Sequence, residues 1–161
     1  VLNDTAATAD NVDRWNDTTP SASVFTIGDG VEVNTNTEDY IAYCFHSVEG
    51  YSKVGSYTGN SSTDGPFIYT GFKPAYVMIK RYDSSTGSRW LLLDSVRNTY
   101  NVVNKNLIAD EAYSESTVGD TDRLDFVSNG FKLRQAGTTV NVGSYIYLAF
   151  AESPFKYSNA R

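Results

Sequence analysis

Every strongly apolar run in this chain has the length of a strand. The longest, Tyr145–Ala151 and Ala75–Ile79, stop far short of the roughly 18 consecutive apolar residues that a membrane helix requires, so membrane insertion is excluded. Turn chemistry separates the runs: Gly28-Asp29-Gly30, the segment from Gly59 to Gly65, the segment from Asp83 to Gly87, and Ser128-Asn129-Gly130. The last places Asn-Gly between Leu124–Val127 and Phe131–Arg134, the strongest short hairpin signal a sequence carries. Twelve Tyr, eight Phe and twelve Gly, with only four Pro and one Met, complete a composition suited to pleated surfaces joined by tight turns.

The pattern predicts strands near Val24–Ile27, Val31–Val33, Tyr40–His46, Tyr51–Thr58, Pro66–Thr70, Ala75–Arg81, Trp90–Asp94, Leu124–Val127, Phe131–Arg134 and Tyr145–Glu152. Many short strands with frequent turns point to an all-β, antiparallel β-sandwich of jelly-roll or concanavalin-like type with at most one short helix. The stretch Val102–Ser114 fits either that helix or an irregular loop. Tyr76–Ile79 and Trp90–Leu93 are apolar without alternation, as expected of strand centres buried on both faces.

Tyr40-Ile-Ala-Tyr-Cys-Phe45 reappears as Tyr145-Ile-Tyr-Leu-Ala-Phe150, and each copy follows a hairpin-like stretch, Phe25–Val33 and Phe126–Leu133. This divides the chain into a partial repeat over residues 1–50 and a main sandwich unit over 51–161, within one compact domain. Strands of an incomplete repeat must pair with the complete unit or with another chain, because open apolar edges aggregate. The first residue is Val, and no signal-peptide pattern follows it, so the sequence reads as a processed product or part of something longer.

Chemistry is sparse. The formal net charge of −6 argues against a nucleic-acid partner. The charge is uneven: residues 1–52 hold nine acids and one base, the remainder ten acids and twelve bases, as expected of a solvated acidic face on the first third. One cysteine rules out an intrachain disulfide and any cysteine cluster for zinc. Cys44 reads as a core thiol, and His46, two residues on, as a structural or surface histidine. There is no Gly-x-Ser-x-Gly elbow and no phosphate loop. Carboxylates cluster at Asp110, Glu111, Glu115, Asp120, Asp122 and Asp125, but nothing in their spacing sets two across a cleft for glycoside hydrolysis. Asp120, Asp122 and Asp125 could lend oxygens to Ca²⁺, yet they lack the loop of an EF-hand, and neither metal nor cofactor is expected. Asp64, Tyr82, Arg89 and Tyr100 are the candidates for stacking on a sugar and bonding its hydroxyls. Trp90, beside an apolar run, is expected in the core. Since Tyr and Arg also dominate protein interfaces, the same residues suit a subunit contact.

Five segments together carry a resemblance: Tyr40–Phe45, Gly55-Ser-Tyr-Thr-Gly-Asn60, Tyr69-Thr-Gly-Phe-Lys-Pro-Ala-Tyr-Val-Met-Ile-Lys80, Ser128-Asn-Gly-Phe-Lys-Leu-Arg134 and Tyr145-Ile-Tyr-Leu-Ala-Phe-Ala-Glu-Ser-Pro-Phe155. Over most of residues 20–161 the chain resembles an uncharacterised domain family of marine tailed phages, whose members are labelled structural or tail-associated proteins and often adjoin a lectin-like jelly roll. The resemblance implies a noncatalytic virion protein (tail fibre, tail accessory or capsid decoration subunit) located in the extracellular particle. It implies partners among copies of itself, as a trimer by analogy with fibres, and among other virion proteins. It also leaves room for host attachment, with a glycan-binding module for host surface polysaccharide as the alternative function.

Overall fold

A computed structural model of the chain describes residues 6–85, 88–117 and 123–155. The described residues form nine strands and two single-turn helices. The strands are β1 (Ser52–Thr58), β2 (Phe67–Tyr69), β3 (Pro74–Arg81), β4 (Leu91–Asp94), β5 (Lys105–Ile108), β6 (Ser116–Thr117), β7 (Leu124–Val127), β8 (Gly130–Leu133) and β9 (Ser144–Ala151). They make a six-stranded sheet ordered β1-β9-β3-β4-β5-β6 and a three-stranded sheet ordered β2-β8-β7. Every pairing is antiparallel. The protein is a β-sandwich.

Alternation along each strand selects the inner face. In β9 it is Tyr145, Tyr147 and Ala149; in β3, Val77 and Ile79; in β4, Leu91 and Leu93, all buried. Across from them the small sheet turns in Ile68, Leu124, Phe126, Phe131 and Leu133, and the two sets form one core. Phe131 of the small sheet meets Tyr147 of the large one edge-on at 5.4 Å, and Tyr57 stacks on Tyr145 at 4.9 Å. Burying each such ring contributes about 1.5–3 kcal/mol. The buried phenols need acceptors, and they find them in the crossover between β8 and β9: Tyr57 donates to the Val140 carbonyl at 2.8 Å and Tyr145 to the Thr138 carbonyl at 2.7 Å. Burial raises the pKa of both phenols, most of all that of Tyr57. Three residues beyond Val140, Gly143 adopts φ +96 where the chain turns into β9, and a side chain there would collide with Arg81 and Asp83.

The chain divides at Cys44/Phe45 into two compact units, and all nine strands lie in the second. The first, Thr8–Cys44, departs from the sequence expectation. Val24–Ile27 and Tyr40–His46 are not strands, and Val31–Asn34 is a helical turn. A second helical turn, Val12–Trp15, was not anticipated, so there are two such helices rather than one at most. Asn11 caps that turn by accepting from the Asp13 amide at 2.9 Å. At Val31 the carbonyl is taken by the hydroxyls of Thr35 at 2.7 Å and Tyr40 at 2.8 Å, bonds that fold the segment back on itself and leave no ladder. Of the internal repeat, therefore, only the second copy is built as strands, β7, β8 and β9. The opposite correction applies to Val102–Ser114, which holds strand β5 where a helix or loop was expected. Asn106 turns inward there, buried, between Lys105 and Leu107.

Candidate functional site

The outer face of the six-stranded sheet is where sequence and fold combine into a surface. The register sets Val54 opposite Leu148, Leu148 opposite Met78, Met78 opposite Leu92, and Leu92 opposite Leu107. One apolar row thus crosses five strands on the side away from the core. Met78, Leu92, Leu107 and Leu148 are half-buried, and Val54 is the most open at 43%. The adjacent row runs from Phe150 to Tyr76, whose rings lie 6.0 Å apart, and Tyr76 donates to the Met78 sulfur at 3.5 Å. Phe45 and Tyr51 pack edge-on against Phe150 at 6.1 and 5.8 Å, and Phe155 stacks on Tyr51 at 5.3 Å. Phe45, Tyr51 and Phe155 remain exposed.

Antiparallel sandwiches ordinarily alternate apolar-in and polar-out. Here Tyr76–Ile79 of β3 and Leu91–Leu93 of β4 are apolar on both faces, although among the described residues of the second unit only one face is covered by the small sheet. The unbroken runs Tyr76–Ile79 and Trp90–Leu93 were the sequence signal of this. What the sequence could not provide was the register that aligns Met78, Leu92 and Leu148 into a single stripe.

The residues proposed for ligand binding lie on separate elements. Asp64, in the β1–β2 loop, pairs with Lys132 of β8 at 2.7 Å, and this hydrogen bond and charge hold its carboxyl below the ordinary carboxylate range. Arg89, just before β4, sits over the Tyr113 ring at 4.9 Å and 3.7 Å from Glu111. Tyr82, following β3, is half-buried, and its amide donates to the Ser144 carbonyl at 3.0 Å. Tyr100 lies in the β4–β5 connection, 85% exposed. Asp125 is buried on the outer side of β7 and is engaged by Arg134 at 2.6 Å, so its charge is already matched. Asp120 and Asp122 lie outside the described residues. Among the described residues no group of three His, Cys, Asp or Glu could hold a metal, and no helix is long and apolar enough to cross a membrane.

Cys44, His46 and Trp90 are the other residues singled out in the sequence. Cys44 is exposed rather than a core thiol, because the segment that would have buried it is not a strand. His46 is at the surface, its Nδ1 3.0 Å from the Ser47 carbonyl oxygen. Trp90 is half-buried rather than fully in the core, with the Lys80 ammonium 5.6 Å from its ring centre.

Two antiparallel sheets closed on one aromatic core define a β-sandwich module. Over residues 1–154 the chain matches the family described as Domain of unknown function (DUF7483), and it belongs to that family. No curated protein and no solved structure matches it.

Proposed function

We propose that this chain is a noncatalytic structural protein of a bacteriophage particle, a subunit of a tail fibre, tail accessory or capsid decoration, working through contacts with copies of itself and with other virion proteins. The phage setting rests on the resemblance carried by Tyr40–Phe45, Ser128–Arg134 and Tyr145–Phe155. The mode of action rests on one observation, the apolar row Val54–Leu148–Met78–Leu92–Leu107 on the outer face of the large sheet. With strands about 4.8 Å apart and about 3.3 Å per residue, that face covers roughly 500 Å². The aromatic cluster of Phe45, Tyr51, Phe150 and Phe155 extends the apolar row at its edge. A row of apolar side chains on an outer sheet face, rimmed by polar residues, is the kind of surface through which proteins associate. A second copy of the chain is the partner it fits best, since one sheet face laid on another buries both stripes at once.

Size-exclusion chromatography with light scattering tests this on the whole chain. The expected result is a defined oligomer that Leu148→Glu or Met78→Glu converts to monomer, with an unchanged far-ultraviolet circular dichroism spectrum. A wild-type chain that stays monomeric at about 100 μM would overturn the assembly reading.

A further inference from the structure

The small sheet has an outer face of a different character, which the assembly reading does not use. Phe67 and Tyr69 flank the buried Ile68 on β2 and stand outward, 46% and 64% exposed. Tyr69 lies opposite Gly130, where a Cβ would meet the Ile68 carbonyl oxygen at 2.1 Å and the Phe67 ring at 2.9 Å, so only glycine leaves room beside the two rings. In the neighbouring row Phe67, Lys132 and Asp125 stand side by side across the three strands. The charges close into pairs: Lys132 with Asp64 at 2.7 Å, and Arg134 with Asp125 at 2.6 Å.

The dimensions and the charge select the ligand. Three strands about 4.8 Å apart and four residues of about 3.3 Å span roughly 200 Å². That is about a quarter of what a stable protein partner covers on one side. Two cations matched by two carboxylates leave no net field to draw a polyanion. What remains is a pair of outward aromatic rings with charged, directional hydrogen-bonding groups along their margin. Two ring positions two residues apart on a strand lie about 6.7 Å from each other, so neighbouring sugar rings can cover both. We propose that this face binds a neutral oligosaccharide. The apolar faces of its rings lie on Tyr69 and Phe67, and its hydroxyls bond to the Asp64–Lys132 pair and to Arg134. The site stands independently of the assembly reading.

Titration calorimetry of the full chain with maltohexaose, cellohexaose, chitohexaose and mannohexaose, and with alginate as the acidic comparison, tests the proposal. The expected result is saturable binding of at least one neutral hexasaccharide. Tyr69→Ala should weaken it about tenfold, the effect of losing roughly 50 Å² of covered ring. Lys132→Met should weaken it severalfold, and Tyr100→Ala, on another element, should leave it unchanged. Tyr69 is exposed, so its truncation spares the core, and circular dichroism checks that Lys132→Met is folded. Absence of binding across the neutral sugars at millimolar concentration overturns the proposal. So does tighter binding of alginate, or affinity that survives both Tyr69→Ala and Lys132→Met. Self-association that Tyr69→Ala abolishes would reassign the face to a protein contact and overturn it equally.

Discussion

Asn141 is the peg that fixes the β1–β2 loop, and replacing it with Ala should cost more than any surface change nearby. Its side chain is fully buried. Its Oδ1 accepts from the Asn60 amide at 2.8 Å, and its Nδ2 donates to the Asn60 side-chain oxygen at 3.0 Å and to the Ser62 carbonyl at 2.7 Å. At a net of about 1 kcal/mol each, three lost hydrogen bonds amount to about 3 kcal/mol. Asn60 is exposed and Ser62 half-buried, so water can reach the groups left behind, and the penalty for an unsatisfied buried group is not added in full. The expected loss is therefore about 2–3 kcal/mol. For a sandwich of about a hundred residues this lowers the melting temperature by about 8–15 °C. Urea unfolding followed by tryptophan fluorescence measures it, with Asn60→Ala and the double variant completing a cycle. The two changes should be non-additive by at least about 0.5 kcal/mol, because they break shared bonds. A loss below about 0.5 kcal/mol for Asn141→Ala, or strict additivity with Asn60→Ala, would refute the assignment of the loop's position to this residue.

Two further consequences can be checked on the same material. A Cβ on Gly59 would lie 2.3 Å from the Asn141 carbonyl carbon, a backbone atom with no rotamer to yield, so Gly59→Ala should destabilise by about 1–3 kcal/mol in the same urea assay. Asp83 accepts from Arg81 Nε at 2.6 Å and from the Ser144 amide at 2.8 Å, and chiefly the Arg81 hydrogen bond holds its pKa below the ordinary value of 3.8. Because the folded value is the lower one, its contribution is complete above the unfolded pKa and disappears as pH falls through the folded pKa. Urea midpoints measured from about pH 6 down to about pH 2 should accordingly fall less steeply for Asp83→Asn than for the wild-type chain.

From Tyr51 onward every strand except β5 and β6 was legible, because each carries its own alternation or apolar run and is bounded by turn residues. The hairpin expected at Asn129-Gly130 is present, with Ser128-Asn129 as its loop and Gly130, already within β8, paired to Val127. The first unit was misread for a physical reason: Val31–Val33 and Tyr40–Phe45 have strand-like side chains, but a strand exists only when another backbone completes its ladder. In Val31–Asn34 the local hydroxyl bonds of Thr35 and Tyr40 won instead. β5 was obscured in the opposite way, since Asn104 and Asn106 among Leu107 and Ile108 blur the pattern until Asn106 is seen to turn inward. Of the surface residues, Asp64 was recognisable as a polar residue in a long loop. Phe67 and Tyr69 were passed over, although their two-residue spacing around Ile68 already placed them on one face. Which face was outward depended on β8, and that pairing is not written in β2.

The place of β9 in the large sheet carries a consequence for synthesis. β3 pairs with β4 soon after it is made, but β1 waits for β9, whose Phe150 closes on Ser52 across roughly ninety-eight residues. Until those residues have cleared the ribosome, β1 has no partner in its own sheet and the apolar stripe has no continuous row. The row proposed as a contact surface is thus complete only once β9, the last of the described strands, has been made, so a chain truncated before β9 would lack it.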